Sequence, residues 1–122
     1  MAKITGVGGI FITARDMPAL AAWYRDTLGI PLDPQWNGAM FTPSEGPPML
    51  VFSLMPASSD YLKPSTAPYM LNFGVDDLDG FLAQLKAKGV EPTGRDDSDP
   101  NGSFAWVVDP EGNKIELWQA KA

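Results

Sequence analysis

Residues 69–89 read YMLNFGVDDLDGFLAQLKAKG, and residues 7–29 read VGGIFITARDMPALAAWYRDTLG. Both stretches contain an apolar run, an Asp, a segment with helical spacing and a closing Gly. Gly29 corresponds to Gly89, 60 positions later. Farther along, the PSEG that ends at Gly46 corresponds to the DPEG that ends at Gly112. A repeat of about half the chain predicts two copies of one supersecondary unit packed together.

The spacing of apolar residues predicts one helix in each copy. In the first, Asp16 stands at the N-cap position with Pro18 in the first turn, and Gly29 ends the helix. In the second, Asp76 or Asp77 caps the helix, and Gly89 ends it. The buried stripes are predicted to be Leu20, Trp23, Tyr24 and Leu28 in the first helix and Leu78, Phe81, Leu82 and Leu85 in the second.

Short segments between Gly and Pro residues predict the strands. After each helix these are 30–36, 38–42 and 49–55 in the first half, and 90–96, 102–108 and 114–119 in the second; residues 4–13 form the opening strand. We therefore predict one α+β domain over residues 1–122 with two tandem βαβββ modules, at about 4–55 and about 69–119. Residues 56–68 connect the modules, either as a linker or, because of Tyr61 and Leu62, as a lid.

Composition narrows the classes of function. The 122 residues are 44% hydrophobic, enough for one compact core. The net charge of −6 and the lack of a basic stretch argue against nucleic-acid and membrane partners. The acidic surface either favours cationic ligands mildly or only maintains solubility. With no cysteine, no signal-like opening and no membrane-length apolar run, we expect a cytoplasmic protein without disulfides.

Two motifs carry a resemblance to a known family. They are WYRDTLGI at the end of the first helix and DPEGN at 109–113, which leads into Ile115, Glu116 and Leu117. Together with the duplicated module, they resemble the vicinal oxygen chelate superfamily, which contains glyoxalase I, extradiol dioxygenases and bleomycin-resistance proteins. The resemblance implies curved mixed sheets that close around a central cavity, and it implies a homodimer.

The resemblance also implies where a metal would be held in metal-dependent members. The equivalent positions here are Gly9, Leu50, Met70 and Glu116, and of these only Glu116 can ligate a hard cation. The chain has no histidine. We therefore predict that the family's metal site is lost and that the protein has no metal and no cofactor. The loop residues Asp60, Asp97 and Asp99 are the remaining candidates for a site of a different kind.

Strand alternation then selects the residues that face the cavity, because positions i and i+2 share a face. The face that includes Glu116 continues through Gly9, Phe11, Thr13, Leu50, Phe52, Leu54, Met70, Asn72, Gly74 and Trp118. The opposite, apolar face is predicted to pack under the helices, and it consists of Ile10, Ile12, Val51, Leu71, Phe73, Val75, Ile115 and Leu117. The pattern does not decide which face of the sheet carries the side chains of Trp36 and Trp106. The predicted ligand-binding residues are Phe11, Thr13, Leu50, Phe52, Met70, Asn72, Glu116 and Trp118.

Several functions fit such a cavity. The first is metal-independent binding of an aromatic or cationic small molecule, as the likeness to bleomycin-resistance proteins implies. The second is a cofactor-independent isomerase or lyase, in which Glu116 is the general acid or base and Asn72 holds an oxyanion. A metal-dependent glyoxalase or dioxygenase type and a structural or regulatory module are further alternatives. For the residues themselves, Glu116 pairing with a Lys or Arg and Trp118 filling a closed core are the non-functional readings.

Overall fold

This computed structural model describes residues 10, 14–35, 37–39 and 58–121. The elements are α1 (Met17–Asp26), β1 (Leu71–Gly74), α2 (Leu78–Ala87), β2 (Gly94–Asp96), β3 (Gly102–Val108) and β4 (Lys114–Ala120). The four strands form one mixed sheet in the order β1-β4-β3-β2. β1 runs parallel to β4, and the other pairs are antiparallel. The predicted α+β class is confirmed, and residues 71–120 have the β-α-β-β-β order expected of the second module.

The predicted strands of the first half are not reproduced where they can be checked. Residues 4–9, 11–13, 40–42 and 49–55 lie outside the described residues. Residues 30–35 and 37–39 form a loop closed by an isolated bridge between Asp33 and Gly38. The Asp33 carboxylate accepts the Gln35 amide at 2.8 Å, and Asn37 has a φ of 54°. An Asx turn and a left-handed Asn favour a tight loop over a strand, so the predictions of 30–36 and 38–42 were wrong for these residues.

In the second half the segment predicted as strand 90–96 shortens to Gly94–Asp96. Pro92 has no N–H to donate, so the ladder begins after it. The Thr93 amide makes the first contact with β3, a 2.7 Å hydrogen bond to the Trp106 carbonyl.

The helix ends match their sequence signals. Asp16 accepts a 3.1 Å hydrogen bond from the Ala19 amide, and Asp77 accepts one of the same length from Gly80. The choice between Asp76 and Asp77 is thus resolved in favour of Asp77. Gly29 and Gly89 follow the two helices with φ of 73° and 83°, as predicted. Neither helix of the described ranges is both long and apolar enough to cross a membrane.

The two helices cover one face of the sheet. Their inner residues and the inward residues of the strands form a single core of Leu20, Tyr24, Leu28, Leu71, Leu78, Leu85, Ala105, Val107, Ile115 and Leu117. Phe73 and Val75 are partly buried against it. The predicted apolar face is thus confirmed for the second half. Ile10 was predicted to join it but is 61% exposed, because alternation assigns a residue to a face without showing that a helix covers that part of the face.

The DPEGN turn joins the sheet to α1. Buried Asp109 accepts hydrogen bonds of 2.9 Å from the Glu111 amide and from both the amide and the side chain of Asn113. Tyr24 of α1 donates its hydroxyl to the same carboxylate at 2.6 Å. The turn is therefore a tertiary anchor as well as the connection that sets the β3–β4 register.

Candidate functional site

The sheet face away from the helices carries the polar and aromatic side chains. β-sheet pairing places Asn72 of β1 beside Glu116 of β4, and Glu116 beside Trp106 of β3. The next row along the strands pairs Trp118 with Phe104. Because alternate residues of a strand share a face, these side chains lie on one surface. We call it the open face because neither α1 nor α2 covers it.

Glu116 is the centre of this surface. It is 7% exposed, and its two carboxylate oxygens accept from three side chains of the open face and its surroundings. Asn72 Nδ2 donates to Oε1 at 2.7 Å, and Trp106 Nε1 donates to Oε2 at 2.8 Å. The Tyr61 hydroxyl donates to Oε2 as well. A buried carboxylate is costly unless donors replace its water, and these donors supply that replacement.

Tyr61 comes from the segment that connects the two predicted modules. Its ring meets the Trp106 indole edge to face, with centroids 6.0 Å apart and planes at 89°. The turn that presents it is locally hydrogen-bonded: the Tyr61 amide donates to Ser59 Oγ at 3.2 Å, and the Ser65 amide donates to the Leu62 carbonyl at 3.0 Å. In this structure Tyr61 therefore covers the carboxylate of Glu116.

Lys114 adds a positive charge to the same surface, two residues before Glu116 on β4. Its Nζ lies 5.0 Å from the Tyr61 ring centroid and 5.2 Å from that of Trp106, within the range of cation–π attraction. The same Nζ donates a hydrogen bond to the Tyr61 carbonyl. Lys114 thus holds the Tyr61 turn through both its backbone and its ring.

Burial changes the acidity of two of these groups. It raises the pKa of the Tyr61 phenol above its usual value, and the hydrogen bond to Glu116 raises it further. Burial also lowers the pKa of Lys114, against the opposing attraction of the Glu116 charge. The Tyr61 phenol is therefore a stable proton donor near neutral pH, as its hydrogen bond to a carboxylate requires.

Trp118 lies at the other end of the open face and is 4% exposed. Its indole stacks on Phe104, with centroids 5.9 Å apart and planes at 2°, and Nε1 donates to the Asn101 carbonyl at 3.0 Å. Trp118 is thus buried, and its polar atom is paired within the protein, as expected for the alternative in which it fills a closed core.

The described residues thus bring together Asn72, Glu116 and Trp118 of the predicted set on one face. Met70 immediately precedes β1 and is half-buried. The remaining predicted ligand-binding residues lie outside the described residues, and they are Phe11, Thr13, Leu50 and Phe52.

Sequence reasoning named Tyr61 only as a reason to consider a lid and did not place it at Glu116, missed Lys114, and left the facing of Trp106 open. For Trp106 a signal existed, because Trp106 and Glu116 are equally distant from Glu111, the centre of the turn, and a regular hairpin pairs such positions. Lys114 could have been assigned to the face of Glu116 by alternation. Tyr61 lies in a Pro- and Ser-rich connecting segment. Such a segment has no helical or strand periodicity from which the direction of a side chain could be predicted.

The three loop aspartates that remained as candidate metal ligands are engaged elsewhere. Asp60 pairs with Lys63 at 2.9 Å, Asp97 pairs with Arg95 at 2.9 Å, and Asp99 accepts the Asn101 amide at 2.7 Å. Across residues 10, 14–35, 37–39 and 58–121, no group of three metal-ligating side chains comes together.

Comparison with solved structures shows the fold. TnmS3, an antibiotic binding protein from Streptomyces sp. CB03234, matches with a TM-score of 0.63 and 21% identity, over 99% of this chain and 100% of that one. A member of the glyoxalase/bleomycin resistance protein/dioxygenase superfamily from Sphaerobacter thermophilus DSM 20745 matches with a TM-score of 0.56 and 22% identity, over 95% of this chain and 98% of that one. Lactoylglutathione lyase from Agrobacterium tumefaciens matches with a TM-score of 0.56 and 22% identity, over 93% of this chain and 94% of that one.

Comparison of the sequence itself gives the family. None of the curated proteins matches this sequence. The model of one family, however, matches residues 6–117, which is almost the whole chain. The chain therefore belongs to the Glyoxalase/Bleomycin resistance protein/Dioxygenase superfamily.

Proposed function

We propose that this protein binds an aromatic small molecule on its open face, without a metal ion, and that Glu116 is the polar anchor of the site. The observation that carries the proposal is the set of donors around Glu116. Asn72 and Trp106 hold the carboxylate from neighbouring strands, so its position is set by the sheet itself. A fixed charge among aromatic side chains is the arrangement by which apolar pockets orient a ligand.

The metal-dependent alternative is poorly supported by the chemistry of the available donors. Gly9 and Leu50 have no donor atom in their side chains, and Met70 offers only a soft thioether. Both oxygens of Glu116 accept N–H or O–H groups, whose positive ends point at the place a cation would take. These residues do not fit a divalent ion, and we propose no step that uses one.

Of the two predicted ligand classes, Lys114 favours the aromatic over the cationic one. Its ammonium group already lies against the rings of Tyr61 and Trp106 and offsets the charge of Glu116. A cationic ligand at the same rings would be repelled by Lys114. An aromatic ligand gains the ring contacts without that repulsion. In addition, TnmS3, which has the same fold, is described as an antibiotic binding protein.

Proton transfer by Glu116 is supported less well than binding. A general base must reach the proton that it removes. Here both oxygens already accept hydrogen bonds from protein side chains. An isomerase or lyase mechanism would need one of these donors to leave and a second acid or base to complete the reaction. Binding requires no second acid or base.

Calorimetric titration with a panel of substituted benzenes and indoles tests the proposal. Glu116→Gln keeps the shape and removes the charge, so we expect it to weaken ligands that donate to the carboxylate by roughly 1.5–3 kcal/mol. Glu91→Gln is the matched control, because Glu91 is exposed, and it should leave every affinity unchanged. Treatment with a chelator should also change nothing. Equal affinities for the parent and Glu116→Gln would refute the proposed anchor, and loss of binding on chelation would refute metal independence.

We further propose that the protein is a homodimer. Two apolar residues support this, since Ile10 is 61% exposed and Met17 is 49% exposed. Burial of apolar surface drives association. Sedimentation at micromolar concentration should show about twice the chain mass of 13.2 kDa. A single species of the chain mass would contradict the proposal.

A further inference from the structure

Tyr61 makes three kinds of contact on the open face at once. Its hydroxyl donates to Glu116, its ring and that of Trp106 meet edge to face, and the Lys114 ammonium lies over its ring. These are the contacts that an aromatic ligand with a hydroxyl group would make with a carboxylate, an aromatic ring and a cation. Tyr61, which belongs to the connecting segment, therefore occupies the site in the way that such a ligand would.

We infer that Tyr61 is an intramolecular ligand of the open face and that the external ligand is a phenol, which binds when the turn at 58–68 withdraws and releases Glu116. The inference rests on the proposed function and deepens it, since it names the ligand class and the residue that competes with it.

The way in which Tyr61 is held is consistent with withdrawal. Tyr61 is 38% exposed, so it already contacts solvent. The hydrogen bonds of its turn are local, between Ser59 and Ser65, and they can be kept while the turn moves as a unit. Among the residues that the structure describes, the contacts of Tyr61 to the sheet are those to Glu116, Trp106 and Lys114. Segments with few long-range contacts are the ones that open locally at low cost.

The remaining site stays formed when Tyr61 leaves. Asn72 and Trp106 hold Glu116 from β1 and β3, independently of the connecting segment. The departing phenol frees one acceptor position on Oε2, and the ligand hydroxyl takes that position. Because Tyr61 must first be displaced, the parent protein should show a weaker apparent affinity than a variant without the side chain.

The test uses 4-methylphenol, which is the tyrosine side chain as a free molecule, and 4-methylanisole, which has the same ring but cannot donate. Binding is followed by the indole N–H resonance of Trp106, assigned with Trp106→Phe. Tyr61→Ala is compared with the parent and with Tyr69→Ala. Tyr69 is a matched control because it is a tyrosine of nearly the same exposure, 37% against 38%.

We expect Tyr61→Ala to bind 4-methylphenol at least about tenfold more tightly than the parent does, and to prefer it over 4-methylanisole by about tenfold or more. Tyr69→Ala should behave like the parent. If Tyr61→Ala does not fold, as judged by circular dichroism, Tyr61→Phe keeps the ring and loses the donor, and it should also bind 4-methylphenol more tightly than the parent. Equal affinity in the parent and the folded Tyr61 variant, or no preference for the phenol over its ether, overturns the inference.

Failure of this inference and failure of the proposed function give different results. If aromatic ligands bind and Glu116→Gln weakens them while Tyr61 variants have no effect, the binding function stands and the role of Tyr61 is refuted. If 4-methylphenol binds Tyr61→Ala as tightly when Glu116→Gln is added, the anchor itself is refuted. No binding of 4-methylphenol to folded Tyr61→Ala at millimolar concentration also overturns the inference.

Discussion

The Tyr24 hydroxyl on α1 donates a 2.6 Å hydrogen bond to Asp109, 85 positions later in the chain. Both residues are buried, at 7% and 4% exposure. The contact joins the first helix to the turn that sets the register of β3 and β4, and therefore it also supports the position of Glu116 opposite Trp106.

Tyr24→Phe should lower the free energy of unfolding by about 1–3 kcal/mol, because a buried carboxylate loses one of its donors while the ring contacts remain. The loss should not exceed this range, since Asp109 keeps the donors of Glu111 and Asn113. Urea denaturation measures the effect. Tyr69→Phe, at an exposed tyrosine, is the control and should change stability little; an unchanged midpoint for Tyr24→Phe would contradict the anchoring role.

Trp106→Phe should lower the free energy of unfolding by about 1–3 kcal/mol, because it removes a donor from the nearly buried Glu116. The loss should depend on the carboxylate. In a double-mutant cycle with Glu116→Gln, the two substitutions should therefore be coupled by about 0.5–3 kcal/mol. Additive effects would show that the indole contributes packing alone.

The stability of the protein should fall as the pH rises above 10, the ordinary pKa of tyrosine. Burial and hydrogen bonds to carboxylates raise the pKa values of Tyr24 and Tyr61 in the folded state. Between the unfolded and the folded pKa the unfolded chain has already lost these protons, so unfolding is favoured progressively as the pH rises; below pH 10 this contribution is fully retained.

Phenolate absorbance of the folded protein measures this directly. The difference between the parent and Tyr61→Phe should isolate a titration that lies above pH 10, and Tyr24→Phe should remove another. An ordinary titration for Tyr61 would show that its phenol does not donate to Glu116 in solution.

Gly102→Ala should destabilise the protein by about 2–4 kcal/mol, from a left-handed backbone together with overpacking. Gly102 has a φ of 138°, and a Cβ there would lie 2.1 Å from the Gln119 carbonyl oxygen. Gly29→Ala separates the two contributions, because Gly29 has a φ of 73° but open space around the added atom. It should cost only about 1–2 kcal/mol. Thermal denaturation of both variants checks the difference, and equal losses would contradict the steric explanation.

Much of the second half was determined by its sequence. The caps at Asp77 and Gly89, the buried stripe of α2 and the alternation of β4 all depend on interactions within a few residues. For the same reason Glu116 and Asn72 could be assigned to the same face before the structure was known, since a strand's facing follows from its period of two. The loop formed by residues 30–35 and 37–39 was missed because its turn depends on a hydrogen bond to the Asp33 side chain, which competes with strand formation.

The tertiary structure alone decided what surrounds the carboxylate. Tyr61 reaches Glu116 across 55 positions, and Lys114 holds the turn that carries Tyr61. No local periodicity links a connecting segment to a strand so far along the chain. Such a contact exists only once the sheet has formed and a cluster of donors, rings and charge can replace the water of a buried carboxylate. The sequence by itself determined which face Glu116 occupies, and the folded chain determined that Tyr61 covers it.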